Sequence, residues 1–135
     1  MLLDTSGLLA ALDKSQRRHA DCLAALLEAP GPLLLSPFVL AELDYLLMRH
    51  VGAHAQGALL DEVARGAYQL EPFSAEDIAR ASAVARRFAD LEIGLADASI
   101  VVLAERHRIS KVLTLDVRHF EALRISDRKR FTLLP

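Results

Sequence analysis

Four carboxylates stand where an acid is either costly or aimed at a ligand: Asp4, Glu42, Asp97 and Asp116. Asp4 and Asp116 follow the apolar runs Met1–Leu3 and Lys111–Leu115, both of which read as β-strands. In a doubly wound parallel sheet, ligands bind beyond the carboxyl ends of the strands, where the strand order reverses. Neighbouring strands lie about 4.8 Å apart, so two strand-end acids can share a cation. Taken singly, each also suits a helix N-cap. Glu42 falls on a helical pattern with Phe38, Tyr45 and Leu46 three or four residues away, which sets its carboxylate against the apolar stripe. A charge there is expensive unless it is paired or bound to metal. Asp97 lies in the first turn of Leu95–His107, a pattern apolar nearly all round and therefore that of a buried helix. By contrast Asp44 reads as solvated and Tyr45 as core.

Clustered carboxylates repel one another and need a hard cation; oxygen ligands suit Mg²⁺ or Mn²⁺. Such an ion leaves positions for a phosphate oxygen and a water, lowers the pKa of that water and offsets charge developing at phosphorus. An acidic site of this kind repels a polyanion unless other cations lie nearby. The net charge is only −2, but residues 106–130 carry eight of the sixteen Lys and Arg against three acids, Asp116, Glu121 and Asp127. That stretch can contact phosphate or simply form a solvated face. His107 and His119 within it are read as an exposed face, with a phosphate contact as the alternative.

The elements that must position the acids alternate between strand and helix, the signature of a parallel sheet with crossover helices. Strands are expected at Met1–Leu3, Leu33–Leu35, Ala67–Leu70, Lys111–Leu115 and Phe131–Leu134. A helix with Leu8, Leu9 and Leu12 on one face follows Asp4, and a second covers Ser15–Glu28 with Ala20, Leu23, Ala24 and Leu27 inward. Ser36-Pro37 opens a helix to His50 with Val39, Leu43, Leu46 and Leu47 as its stripe. Further helices are expected over Ala53–Arg65, from Ser74 to Phe88 with a capping box to Asp77, and over Leu95–His107.

The 135 residues fit a single domain over 1–135, and 53% hydrophobic residues is ample for a core. A single cysteine, Cys22, leaves neither a disulfide pair nor a cysteine zinc site and suits a reducing compartment. No basic region precedes the N-terminal apolar residues and no apolar run spans a membrane, so a cytoplasmic protein is expected. His50 and His54 are four apart, as in helical zinc pairs, but lack a third ligand. Neither a nucleophile elbow nor a P-loop is present.

The segments Leu2-Leu3-Asp4-Thr5-Ser6, Ser36-Pro37 through Ala41-Glu42-Leu43, Gly94 to Ile100, and Thr114-Leu115-Asp116 through His119-Phe120 resemble PIN domains, and more narrowly VapC-like toxins. The resemblance spans the whole chain, with the four acids at separations of 38, 55 and 19 residues. It implies a three-layer α/β/α fold with a five-stranded parallel sheet in order 3-2-1-4-5 and a Mg²⁺- or Mn²⁺-dependent endoribonuclease. It also implies a homodimer and inhibition by a cognate antitoxin. The family's acidic quartet maps to Asp4, Glu42, Asp97 and Asp116, with the hydroxyls of Thr5, Ser6 and Thr114 secondary, holding metal waters. Asp90, where relatives often carry an acid, is read as capping a turn. The competing readings are a PIN-like module that only binds a partner, and a receiver-type signalling domain. The second would need an acidic pair after the first strand, where Asp4 stands alone.

Overall fold

In the computed structural model, residues 1–126 and 128–135 are described; Asp127, counted among the acids of the basic stretch, lies outside them. Five short parallel strands form one sheet: β1 (Leu2–Leu3), β2 (Leu34–Leu35), β3 (Gln69–Leu70), β4 (Lys111–Leu113) and β5 (Thr132–Leu134). Their order is β3-β2-β1-β4-β5, as the resemblance implies. β1 is central, with Leu2 opposite both Leu34 and Val112, and Leu3 opposite Leu113. Leu2, Leu3, Leu34, Leu35, Val112 and Leu113 are all buried. Their unbroken apolar runs, with no alternation, are what a parallel sheet covered on both faces requires. The strand order turns back at β1, so a chain end leaving β1 faces the crevice between the two halves of the sheet.

The helices are α1 (Thr5–Leu12), α2 (His19–Leu27), α3 (Pro37–His50), α4 (Ala53–Ala64), α5 (Ala75–Arg87), α6 (Leu95–His107) and α7 (Val117–Ala122). Ser36 caps α3 by accepting from the Phe38 amide, with Pro37 at the first helical position. The Ser74–Asp77 capping box of α5 is reciprocal, as its spacing predicts. In α6 the run from Ala98 to Ala104 is wholly buried. Its far end is tied down by charge. Arg106 reaches Glu71 at 3.1 Å and Asp77 at 2.8 Å, its guanidinium lies over Phe73, and His107 Nε2 stands 2.9 Å from Glu71. Burial pushes the Glu71 carboxyl up, but His107, Arg106 and Gln69 outweigh it and hold the group below the usual carboxylate range. His107 is therefore half-buried beside Glu71 and not the exposed residue that was expected. Among the described residues no helix is long and apolar enough to cross a membrane.

Several local readings change. α2 starts at His19 and not at Ser15, because Asp13 captures the Ser15 amide and hydroxyl and the Gln16 side chain in a turn. Its inward residues are Cys22 and Leu26, while Leu27 is 75% exposed. Apolar side chains surround most of this helix, so composition does not single out a face. Tyr45 is 61% exposed rather than core. It lies two residues from both Leu43 and Leu47, which places it across α3 from the buried stripe. Asp44 is half-buried and accepts from Gln56 of α4 at 2.7 Å. Asp90 caps no turn: it lies exposed within a short 3₁₀ segment, Ala89–Leu91, whose cap position is Phe88. The strand expected over Lys111–Leu115 ends at Leu113, and α7 follows where no element was assigned. α7 is too short for periodicity to show, and its signal is Asp116 as N-cap.

Gly7 lets α1 lie directly on β4: a Cβ there would meet the Leu113 carbonyl oxygen at 2.5 Å and the Leu113 side chain at 2.8 Å. We expect Gly7→Ala to lower stability by about 1–3 kcal/mol, the usual cost of forcing atoms into a packed core. Gly57, in α4 with open space around it, should behave oppositely and gain about 0.5–1 kcal/mol as alanine. Urea unfolding midpoints of the two variants test both signs.

Candidate metal centre

All four carboxylates singled out in the sequence line one pocket of about 300 Å³ at the carboxyl end of the sheet. Asp4 leaves β1 with its amide still bonded to the Leu113 carbonyl at 3.0 Å, so its backbone is held in the ladder. Its side chain is 4% exposed. Oδ2 accepts from the Ser6 hydroxyl at 2.5 Å and the Thr114 hydroxyl at 2.7 Å. Burial raises the Asp4 pKa and these donors oppose the rise.

The same hydroxyls fix the other strand end. Thr114 Oγ1 accepts from the Asp116 amide at 2.9 Å, and Ser6 Oγ accepts from the Leu115 amide at 2.9 Å. Asp116 also caps α7 by accepting from the His119 amide. Phe120 of α7 is fully buried and packs edge-on against Phe131, which anchors the helix. Asp97 enters from the first turn of α6. Glu42 enters from α3 but is exposed. The stripe of α3 is Val39, Leu43 and Leu47, and Glu42 borders it at the pocket mouth. The expected cost of burying its charge therefore does not arise.

His119, read from the sequence as an exposed residue, lies in the site. Its Nδ1 is 2.8 Å from Asp116 and 3.3 Å from Asp97. Ligand atoms of Asp97, Asp116 and His119 fall within 4.8 Å of one another. The available signal was its place three residues beyond a helix-capping acid. Thr5 Oγ1 also lines the pocket, buried and with no hydrogen-bond partner among the described residues. An orphaned buried hydroxyl beside several carboxylates, all oxygen donors, suits a hydrated hard cation.

The Asp97 carboxyl is pushed up to about 6, first by burial and then by the charges of Asp4, Asp116 and Glu42, against which His119 pulls down. The folded chain thus holds this proton to higher pH than the unfolded chain, whose carboxyl titrates near 3.8. Its contribution to stability is lost as pH rises through that interval. In EDTA, Asp97→Asn should therefore gain stability relative to wild type as pH rises from about 4 to 6, and keep the gain above. Paired thermal melts across that range check it; a difference independent of pH would contradict the assignment.

Comparison with known proteins agrees with this geometry. The PIN domain family model matches residues 1–125. The chain is 44% identical to Ribonuclease VapC26 of Mycobacterium tuberculosis (strain ATCC 25618 / H37Rv) over 135 residues, the full length of both. It shares its fold with the crystal structure of Mycobacterium tuberculosis VapC20, a sarcin-ricin loop cleaving toxin, at TM-score 0.80 and 22% identity, over 86% of this chain and 89% of that one. A second likeness is to VapBC2 from Rickettsia felis, solved bound to a DNA fragment from its promoter, at TM-score 0.68 and 18% identity, over 99% and 98% of the two chains. A full-length relative among the VapC ribonucleases, a matching family model and a shared fold lead to one conclusion: the chain belongs to the PIN-domain family, as a VapC homologue.

Proposed function

We infer that the protein is an endoribonuclease hydrolysing RNA phosphodiester bonds, with Asp4, Asp97 and Asp116 as the inner ligands of a divalent ion and Glu42 at the mouth of the site. The observation that carries this reading is the single pocket into which β1, α3, α6 and the β4–α7 turn each deliver one carboxylate. When bound there, Mg²⁺, or Mn²⁺ in its place, supplies Lewis acidity and a more acidic water at neutral pH. The chain's own residues supply the positioning. Ser6 and Thr114 hold Asp4 Oδ2, and Thr114 also holds the Asp116 backbone. The unpartnered Thr5 hydroxyl is free to orient a water. Glu42, the least constrained of the four acids, suits acceptance of a proton from the attacking water.

The relatives extend the reading to partners. A full-length VapC relative, and structural likeness to a toxin and to a VapBC assembly, support a toxin of a type II pair held inactive by a cognate antitoxin. We read residues 1–135 as one domain acting in the cytoplasm, where its RNA lies. A homodimer through Pro37–Arg65 is supported by exposed apolar side chains there: Tyr45, Met48, Val51 and Leu60.

Two expectations follow. Purified protein should cut structured RNA with Mn²⁺ and not with EDTA, and Asp4→Asn or Asp97→Asn should slow cleavage about a hundredfold or more. Metal-independent cleavage, or cleavage indifferent to both substitutions, rejects the reading. Light scattering should give twice the chain mass for wild type and one chain mass for Tyr45→Arg/Met48→Glu, with α-helical circular dichroism retained.

A further inference from the structure

Among the described residues, no lysine or arginine lines the acidic pocket. A strand of RNA brought to four carboxylates needs cations close by. The basic stretch supplies fewer than its composition implies. Arg106 is committed to Glu71 and Asp77, and Arg124 donates to the carbonyl oxygens of Glu121, Ala122 and Leu123.

A different segment brings positive charge to the site. A second pocket, of about 380 Å³, is lined by Arg17, Arg18, Thr114, Leu115, Val117 and Leu133, together with Pro135, with no aspartate or glutamate among the described lining residues. It shares the β4–α7 turn with the acidic pocket. Thr114, Leu115 and Val117 face the arginines, while Asp116 between them faces the acids. Thr114 serves both sides, since its hydroxyl holds Asp4 and the Asp116 amide. The loop carrying the arginines is anchored by Asp13, which is 7% exposed and accepts from Ser15 and Gln16. Arg17 is exposed and has no ion-pair partner among the described residues. Arg18 meets Asp21 through Nε at 2.7 Å, with both side chains about half exposed. Such a surface pair is weak enough to yield to a phosphate.

We propose that this basic pocket is a substrate subsite that holds RNA backbone phosphates next to the scissile one, with Arg17 as the principal contact and Arg18 as the second. The proposal rests on the ribonuclease reading. Guanidinium groups match phosphate oxygens in a planar fork. Leu115, Val117 and Leu133 offer an apolar floor for the ribose and base that follow. Contacts of this kind set the register of a strand without reading its sequence, so both arginines are positioning residues.

The test is steady-state kinetics in Mn²⁺ on an oligoribonucleotide that the wild type cuts. Arg17→Ala/Arg18→Ala should raise KM roughly tenfold and leave kcat within about twofold. The slope of log kcat/KM against log salt should flatten by about 1 to 1.5, the amount expected for two single-strand phosphate contacts. Arg17→Lys should recover most of the KM, and Arg80→Ala, a cation outside both pockets, should change nothing. If the double variant melts early, Arg17→Ala alone is judged by the same readouts. Unchanged KM and salt slope overturn the proposal, as does a loss confined to kcat. If RNA kinetics are unchanged but inhibition by a bound protein weakens, the pocket docks protein and the proposal also falls. Should wild type cut no RNA, the nuclease reading fails separately. Anisotropy of a fluorescein-labelled oligouridine in EDTA then decides the subsite: weaker binding by the double variant supports it, equal binding rejects it.

Discussion

Burying the Asp4 carboxylate at the centre of the sheet is the constraint that the surrounding structure answers. With 4% exposure it has lost nearly all contact with bulk water, and an ionised group in that position is costly unless its lone pairs are satisfied. Two hydroxyls satisfy Oδ2, one from α1 and one from the residue after β4. Because the same hydroxyls accept from the Leu115 and Asp116 amides, solvating Asp4 also sets where the β4–α7 turn begins. One small knot therefore determines the spacing of two carboxylates that are 112 residues apart in the chain.

The packing further out keeps that knot rigid. Gly7 lets α1 touch the backbone of β4, so Ser6 comes within reach of the turn. Phe120 against Phe131 seats α7 and, with it, His119. α6 is gripped at both ends, by its buried first turns and by the Arg106 and His107 pairs to Glu71. Of the four acids only Glu42 escapes this restraint. A metal site needs ligands held in place, whereas a group that moves a proton needs some freedom, and the contrast in burial is the one the proposed roles require.

Charge is segregated across a single turn. Among the described residues, four acids with no lysine or arginine beside them line one side of Thr114–Val117, and Arg17 and Arg18 line the other. Net charge could not reveal this, since the chain as a whole is nearly neutral. Nor could the density of basic residues along the chain, since Arg106 and Arg124 are consumed by internal contacts while the basic pocket takes Arg17 and Arg18 from outside the basic stretch.

Much of the fold was legible because its signals are local. The capping box at Ser74, the Ser36-Pro37 helix start and the bounds of α6 each depend on residues within one turn of one another. Unbroken leucine and valine runs named the central strands, since a sheet covered on both faces tolerates nothing else. Burial that depends on a partner was not legible. Cys22 and Leu26 face inward, rather than Ala20, Ala24 and Leu27, because docking chose among equally apolar faces of α2. His107 and His119 looked like surface residues until Glu71, Asp97 and Asp116 came beside them. The sequence by itself determined the strand and helix types and marked the four acids as anomalous, for these follow from chemical type and short-range spacing. Only the tertiary structure decided that the four acids share one pocket, that His119 joins them and that Arg17 and Arg18 line a second pocket on the same turn. Distances between remote segments are set by how helices pack across a sheet, and no local pattern encodes them.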